Sequence, residues 1–243
     1  NSSMTIPIII DFWKKSKVDS FKQAYINCPY ILVTSLEVLK FLKENRIKNK
    51  LIHFPMSLPS IYKLDPHQIF EKKFDILLAG RTSPVLIEFL NKYMKKHPQL
   101  EYVFREKKGR ELLYYSNKSG FLGKFNSRKE YMNLLKQAKV SFYSTPGVDD
   151  SQRTKGFNPV TPRLFEFLSA GCHVIARYPN NIETSHYELN KICKSVDTYD
   201  EFENQLNLAL SEKQPIKKNS EYLKKYYTSN NIEILKKMLR KNL

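Results

Sequence analysis

Short β-branched runs alternate with amphipathic stretches along most of this chain, and that rhythm limits the fold more than any single motif does. Residues 6–10 (IPIII), 30–35 (YILVTS) and 51–54 (LIHF) read as buried strands. Between the last two, Leu36, Leu39, Phe41 and Leu42 recur at helical spacing among lysines and glutamates, which makes a βαβ unit. Residues 55–73 hold three prolines and mixed polarity, the pattern of a connection between lobes. A second series then begins. Residues 74–79 read as strand, 80–84 as turn and 85–96 as helix; 100–104 and 140–144 are strands with a helix over about 127–138 between them. A polar loop at 145–161 leads to a short helix, a strand at 172–176, a helix after Asn181 and a last strand at 191–196. Strands alternating with helices predict an α/β fold with a doubly wound parallel sheet of Rossmann-like type, which binds ligands beyond the carboxyl ends of its strands. The expected division is a small N-terminal α/β lobe at 1–60, a linker at 61–73, a Rossmann-like domain at 74–212 and basic C-terminal helices at 213–243.

Charge narrows the partners. Lys and Arg number 41 against 24 Asp and Glu, a net +17 that should attract phosphates on nucleotides, nucleic acid or acidic lipid. The three cysteines, Cys28, Cys172 and Cys193, lie far apart with no CxxC spacing, which reads as buried free thiols of an intracellular, cytoplasmic protein. No apolar run approaches the roughly 18 residues of a membrane span, so membrane contact is expected to be peripheral, at the inner face. The five histidines show no HExxH pattern, and no metal site is expected. GxSxG, Walker A and GxGxxG motifs are absent from the sequence, which disfavours hydrolase, P-loop and simple dinucleotide-binding functions. His173, inside an apolar strand, reads as a satisfied core or cleft residue, and Trp13 as core or cleft lining.

Residues 155–176 (KGFNPVTPRLFEFLSAGCHVIA) carry the most chemistry. Thr161 suits an N-cap, Pro162 suits the first helical position, and Gly171 suits a left-handed helix end. A helix start offers amides and partial positive charge to an anion, and Arg163 adds a fork-shaped donor there. Glu166 follows by three residues and shares a helix face with Arg163, where a carboxylate can accept the hydroxyls of a ribose. Taken alone, Glu166 also reads as a salt-bridged helix residue, and Arg163 as its partner.

This segment resembles the donor-binding helix of group 1 glycosyltransferases with the GT-B fold. The Gly-Phe loop at 156–157, the Pro-Arg-x-Phe-Glu start at 162–166 and the Ala-Gly-Cys-x-Val-Ile-Ala finish at 170–176 carry the resemblance. It implies a two-glutamate motif with seven intervening residues, in which Glu166 matches the second, ribose-binding position and Asn158 stands at the first. The resemblance extends over about residues 6–210. It makes Arg81, in the Ala79-Gly80-Arg81-Thr82 turn, the basic residue that meets a diphosphate. A complete acceptor lobe would need on the order of 150 residues, far more than precede the linker. The chain therefore reads as part of a longer transferase or as a reduced one, with a truncated N-terminal lobe.

The resemblance implies transfer of a sugar from a nucleoside-diphosphate donor to a glycan or lipid-linked acceptor, in surface polysaccharide or glycoconjugate synthesis. The reaction would be retaining and metal-independent, with no cofactor beyond the donor as co-substrate. Basic groups would stabilise the departing diphosphate. The donor-site residues are Arg81, Gly156, Asn158, Thr161, Arg163 and Glu166, with Lys124 and Lys155 as further phosphate contacts and Asp11 as a candidate base. No Asp-x-Asp occurs; Asp149-Asp150 lacks that spacing. Two rivals stand beside this reading. One is a sugar-nucleotide epimerase of the same architecture. The other is a basic nucleic-acid module using Lys107, Lys108, Arg110, Tyr114 and Tyr115, although no nucleic-acid motif is present and no nucleic-acid partner is expected. Residues 231–243 separate Ile232, Leu235, Met238 and Leu239 from Lys236, Lys237, Arg240 and Lys241, a pattern that could dock on an anionic membrane or pack its apolar side on the protein.

Overall fold

The computed structural model describes residues 5–13, 15–81, 83–149, 151–154 and 156–240. Among these, hydrogen bonding sorts the strands into two sheets. The N-terminal sheet holds β1 (Ile8–Ile9), β2 (Tyr30–Val33) and β3 (Lys50–His53) in that order, all parallel, joined through helices α1 (Val18–Ala24) and α2 (Leu36–Glu44). β1 is shorter than the sequence predicts, because Pro7 has no N–H to give the ladder.

Residues 54–73 cross to the second sheet, built from β4 (Phe74–Leu77), β5 (Tyr102–Lys108), β6 (Glu111–Ser116), β7 (Gly120–Lys124), β8 (Ala138–Ser144) and β9 (His173–Arg177). Its order is β7-β6-β5-β4-β8-β9. The strands β5, β4, β8 and β9 run parallel, whereas β6 and β7 add an antiparallel edge. That hairpin was not expected from helical or strand periodicity. Its cue is local: Gly109, at φ +62°, opens the two-residue turn between paired Lys108 and Glu111.

Helices cover both faces. Alternation along β4 sends Ile76 and Leu77 to opposite cores, and Phe142 and Tyr143 divide in the same way on β8. One face packs α3 (Pro84–Lys96) and α9 (Tyr199–Ser211) through Leu86, Leu90, Phe202 and Leu206. The other packs α4 (Arg128–Lys136), α6 (Pro162–Ser169) and α10 (Ile216–Leu223) through Met132, Leu164, Leu168 and Leu223. Three shorter or peripheral helices complete the chain's order: α5 (Ser151–Thr154), α7 (Ile182–His186) and α8 (Leu189–Ile192). The last helix, α11 (Thr228–Arg240), returns to the interlobe connection, where Leu58 bridges to Tyr227 and Asn231 donates to the Pro55 carbonyl.

The strand predicted at 191–196 is instead α8 followed by a single bridge from Ser195 to Ala176. Glu188 takes a left-handed conformation at φ 50°, and Cys193 N–H closes back on the Leu189 carbonyl, so the segment turns where an extended strand would run on. The cysteines are unpaired; Cys172 and Cys193 are buried, but Cys28 is only half-buried, contrary to expectation. No helix of the described residues is long and apolar enough to cross a membrane.

Gly171 ends α6 at φ +67°, as its sequence position predicts. A Cβ there would lie 2.5 Å from Ile216 Cδ1 and 2.9 Å from Phe70 Cδ2. Gly171→Ala is therefore expected to cost about 1–3 kcal/mol, read as a lowered urea midpoint with an unchanged m-value.

Candidate functional site

A cleft of about 1000 Å³ opens between the lobes, beyond the carboxyl ends of both sheets. β1 ends at Ile9 and delivers Asp11 and Trp13; β4 ends at Leu77 and delivers Gly80 and Arg81; β8 ends at Ser144, and Ser144 and Pro146 line the wall. This is where the fold places ligands, because the strand ends and the helix starts converge there. Trp13 also packs against the N-terminal core, so it serves both of its expected roles.

The start of α6 forms the floor. Thr161 holds the N-cap position with extended backbone, but its side chain makes no capping bond. Its own N–H donates to the Tyr143 hydroxyl at 3.1 Å, Pro162 has no N–H, and Leu164 N–H returns to the Thr161 carbonyl. Two of the amides at this end are thus engaged within the protein, and the Arg163 guanidinium stands beside them. Arg163 lies over the Tyr131 ring, 5.0 Å from its centroid, and donates to the Tyr131 hydroxyl. Burial pulls its pKa below the ordinary guanidinium value, opposed by the charge of Glu166.

Glu166 is 2% exposed. Arg128, from the first turn of α4, donates to its Oε1. Its Oε2 makes no hydrogen bond among the described residues, and Arg163 Nη1 stands 3.5 Å away. A buried carboxylate oxygen without a hydrogen bond is rare, and the residue that carries it is part of the cleft lining. Glu166 is thus salt-bridged, as one of its sequence readings has it, and it is part of the cleft lining.

Arginines crowd the Gly80 turn. Arg105 on β5 donates to the Gly80 carbonyl at 3.3 Å, and the Arg163 guanidinium packs on the other side. Arg81, Arg105, Arg128 and Arg163 all line the cleft, against the carboxylates Asp11 and Glu166. Sequence reasoning missed Arg105 and Arg128. Arg105 lies just past the strand expected at 100–104, on β5, and Arg128 opens α4 after the Ser127 N-cap; neither carries a motif of its own. Behind the turn, Ser83 caps α3 and donates to Asp149, which Arg177 grips at 2.9 and 3.1 Å. Asp149 is thus a structural anchor.

Gly80 sits at φ +86°, and a Cβ on it would come within 3.0 Å of Arg163 Cζ. Gly80→Ala is expected to displace the guanidinium and weaken anion binding about tenfold, the loss of one charge-assisted contact, measured by titration with inorganic diphosphate.

The remaining candidates lie elsewhere. Lys124, on the edge hairpin, pairs with Glu111 and does not line the cleft. Lys155 lies outside the described residues, as do Thr82 and Asp150. Gly156, at φ +89°, and Asn158 sit where the lobes meet, outside the cleft lining. Asn158 is 9% exposed, and its Oδ1 accepts from the Thr145 hydroxyl at 3.0 Å, so its amide is folded back on its own loop. His173 bonds the Lys213 carbonyl at 3.0 Å, away from the cleft. The stretch proposed for nucleic acid is the β5–β6 hairpin: Tyr114 is buried, and Tyr115 packs between Phe104 and Phe121. Among the described residues, no three His, Cys, Asp or Glu are placed to hold a metal ion.

The two-lobed architecture with its cleft is the GT-B fold of glycosyltransferases, with three strands in the N-terminal sheet among the described residues. Solved structures carry the comparison. HepE from Anabaena, in complex with UDP and glucose, superposes with a TM-score of 0.58 at 11% identity, covering 97% of this chain and 71% of that one. The GtfA/B complex gives 0.53 at 12% identity, covering 92% and 47%. Sucrose-phosphate synthase from Thermosynechococcus elongatus gives 0.52 at 10%, covering 94% and 62%. The chain therefore spans about half to seven-tenths of the length of these structures. No protein-family profile matches it, and no curated protein matches its sequence.

Proposed function

We propose that this chain carries the donor-binding half of a glycosyltransferase that moves a sugar from a nucleoside diphosphate to a glycan or lipid-linked acceptor. The observation that carries the reading is Glu166: a buried carboxylate in the lining of a cleft with four arginines, one oxygen held by Arg128 and the other lacking a hydrogen bond, 3.5 Å from Arg163. A nucleoside diphosphate needs both features, an acceptor for its ribose hydroxyls and cations for its phosphates. In this reading Arg81, Arg105 and Arg163 hold the diphosphate about the Gly80 turn, and Glu166 takes the ribose. As the bond from the anomeric carbon to the phosphate oxygen breaks, the guanidiniums stabilise charge on the leaving group. Four fixed cations can do this without a divalent ion, so metal independence belongs to the proposal, as does retention of anomeric configuration. Asp11, from the other lobe, faces the same cleft and would meet the acceptor hydroxyl. HepE, solved with UDP and with UDP-glucose, makes uridine nucleotides the first probes.

The acceptor side is proposed to lie at an anionic membrane. Ile232 on α11 is exposed, and Lys236 and Lys237 follow in the next turn.

The test is release of UDP from UDP-glucose in the presence of EDTA, with the product's anomeric configuration read by NMR when transfer to an added glycan is seen. UDP release that persists with EDTA supports the proposal; release only with added Mg²⁺ or Mn²⁺ contradicts its metal-independent form.

A further inference from the structure

A second cavity lies at the end of the N-terminal sheet opposite the cleft. It encloses about 510 Å³ and is lined by Lys22 on α1, by Ile26 and Pro29 on the loop into β2, and by Arg46, Lys48 and Asn49 on the loop into β3. β2 runs from Tyr30 towards the cleft over four residues, so a strand's length of about 13 Å separates the two ends. Among the described residues the lining holds three cations and no acid. Asp19 pairs with Lys22 at 3.1 Å from outside the lining, whereas Arg46 and Lys48 make no ion pair among the described residues. Asn49 fixes the walls: its Nδ2 donates to the Tyr25 carbonyl at 2.8 Å and also to the Cys28 carbonyl, which ties the two loops together. Ile26 is 74% exposed, an apolar side chain left in water beside these cations. Arg46 takes φ +56° where α2 ends, its N–H on the Lys43 carbonyl and the Ile47 N–H on that of Leu42. Glycine adopts that left-handed conformation freely, and arginine adopts it with strain.

We propose that this cavity binds an amphiphilic phosphate, its head held by Arg46, Lys48 and Lys22 and its apolar part laid over Ile26 and Pro29. Cations that converge without an acid leave a charge that a phosphate neutralises, and a guanidinium fork matches phosphate oxygens. The volume is that of a small-molecule pocket, and the apolar side chains favour a hydrocarbon group that inorganic phosphate lacks. The site shares no lining residue with the arginine cleft, so it stands whether or not the cleft takes a nucleotide sugar. If Arg46 served only the carbonyl end of α2, where a cation is favourable, glycine in its place would relieve the strain and cost no ligand.

The experiment is calorimetric titration of the whole chain with hexanoyl lysophosphatidate and with glycerophosphate, for wild type, Arg46→Gly, Lys48→Ala, Ile26→Ser and the cleft variant Arg81→Ala/Arg163→Ala. Wild type and the cleft variant should bind lysophosphatidate within about twofold of each other, because the two sites are far apart. Arg46→Gly and Lys48→Ala should each bind it about tenfold more weakly, the loss of one charge-assisted contact. Glycerophosphate should bind wild type about tenfold more weakly than lysophosphatidate, the effect of two buried methylenes, and Ile26→Ser should weaken lysophosphatidate alone. Thermal melts guard against unfolding: without ligand Arg46→Gly should melt close to wild type, since strain relief offsets a freer unfolded chain, and lysophosphatidate should raise the melting temperature of wild type only. Cosedimentation with phosphatidate vesicles separates two sources of the same head group. Pelleting that Arg46→Gly and Lys48→Ala lose supports a membrane lipid; lysophosphatidate binding without pelleting, or with pelleting that both variants keep, supports a soluble phosphate. Failure of wild type to bind lysophosphatidate, binding that the cleft variant loses and Arg46→Gly keeps, or equal affinity for the two phosphates would overturn the proposal.

Discussion

Glu166→Ala is expected to weaken nucleotide binding roughly ten- to a hundredfold while leaving inorganic diphosphate bound, at equal or greater affinity. Glu166 lies against Arg128 and Arg163, so its carboxylate restrains two of the four cleft cations. Removing it deletes the acceptor for ribose, a charged hydrogen-bonding group worth about 1.5–3 kcal/mol per contact, or roughly ten- to a hundredfold in affinity. The same change raises the positive charge facing a phosphate. A purely structural ion pair predicts a different result, in which both ligands weaken as the fold loosens. Arg128 and Arg163 remain partly exposed, so water can solvate them once Glu166 is gone, and the expected stability loss is only about 1–2 kcal/mol. Parallel titrations with UDP and diphosphate, together with a thermal melt, separate the two outcomes.

The second large effect concerns the joint between the lobes. Glu183, in α7, is wholly buried against the start of α2, and burial raises its pKa from an ordinary 4.5 to about 7. His53, whose ring lies 4.9 Å from that of His186, is pushed by burial and then by His186 from 6.5 down to about 4. The signs oppose. Between pH 4.5 and 7 folded Glu183 keeps a proton that the unfolded chain has released, so its contribution is complete below 4.5 and is lost as pH rises through 7. His53 contributes fully above 6.5 and loses that contribution as pH falls through 4. Each span amounts to about 3 kcal/mol, and across pH 4.5–6.5 the slopes cancel. Glu37 and His186 shift in the same respective senses, Glu37 facing Lys15, Asn158 and Asn181. These four shifts offset one another, and burial of His173, which lowers its pKa as well, tilts wild-type stability modestly upward from pH 4.5 to 6.5. Glu183→Gln leaves a neutral group that still accepts from Glu37 N–H, resembling the protonated wild type at every pH. The variant should match wild type near pH 4.5 and exceed it by about 2–3 kcal/mol at pH 8, with stability rising from pH 4.5 to 6.5. Urea unfolding at pH 4.5, 6.5 and 8 measures this; a variant less stable than wild type at pH 8 would show that Glu183 is favourably charged.

Local chemistry made much of the fold legible. Pro162, Gly171 and the apolar positions between them define α6 because proline and glycine act on their own backbone, whatever surrounds them. Arg81, Arg163, Glu166, Thr161 and Asp11 share one cleft because each follows a strand end or opens a helix, and a parallel sheet collects such positions on one side. The parts that were not legible depend on distant partners. Arg128 is 38 residues from Glu166 and meets it only because α4 packs beside α6. The Thr161 amide looked open until Tyr143, on β8, proved to accept from it. The Asn158 backbone N–H meets Glu37 of the other lobe, 121 residues away, and the Asn158 side chain is held by Thr145.

The central claim is that the arginine-lined cleft holds a nucleoside diphosphate. Its most direct measurement is calorimetric titration of wild type with UDP, GDP, ADP and CMP at moderate salt, beside an Arg81→Ala/Arg163→Ala double variant. The account predicts micromolar to low-millimolar binding of one nucleotide by wild type and loss of that binding in the variant. Binding of none of the four, together with tight, steeply salt-dependent binding of single-stranded nucleic acid that the variant retains, would contradict it.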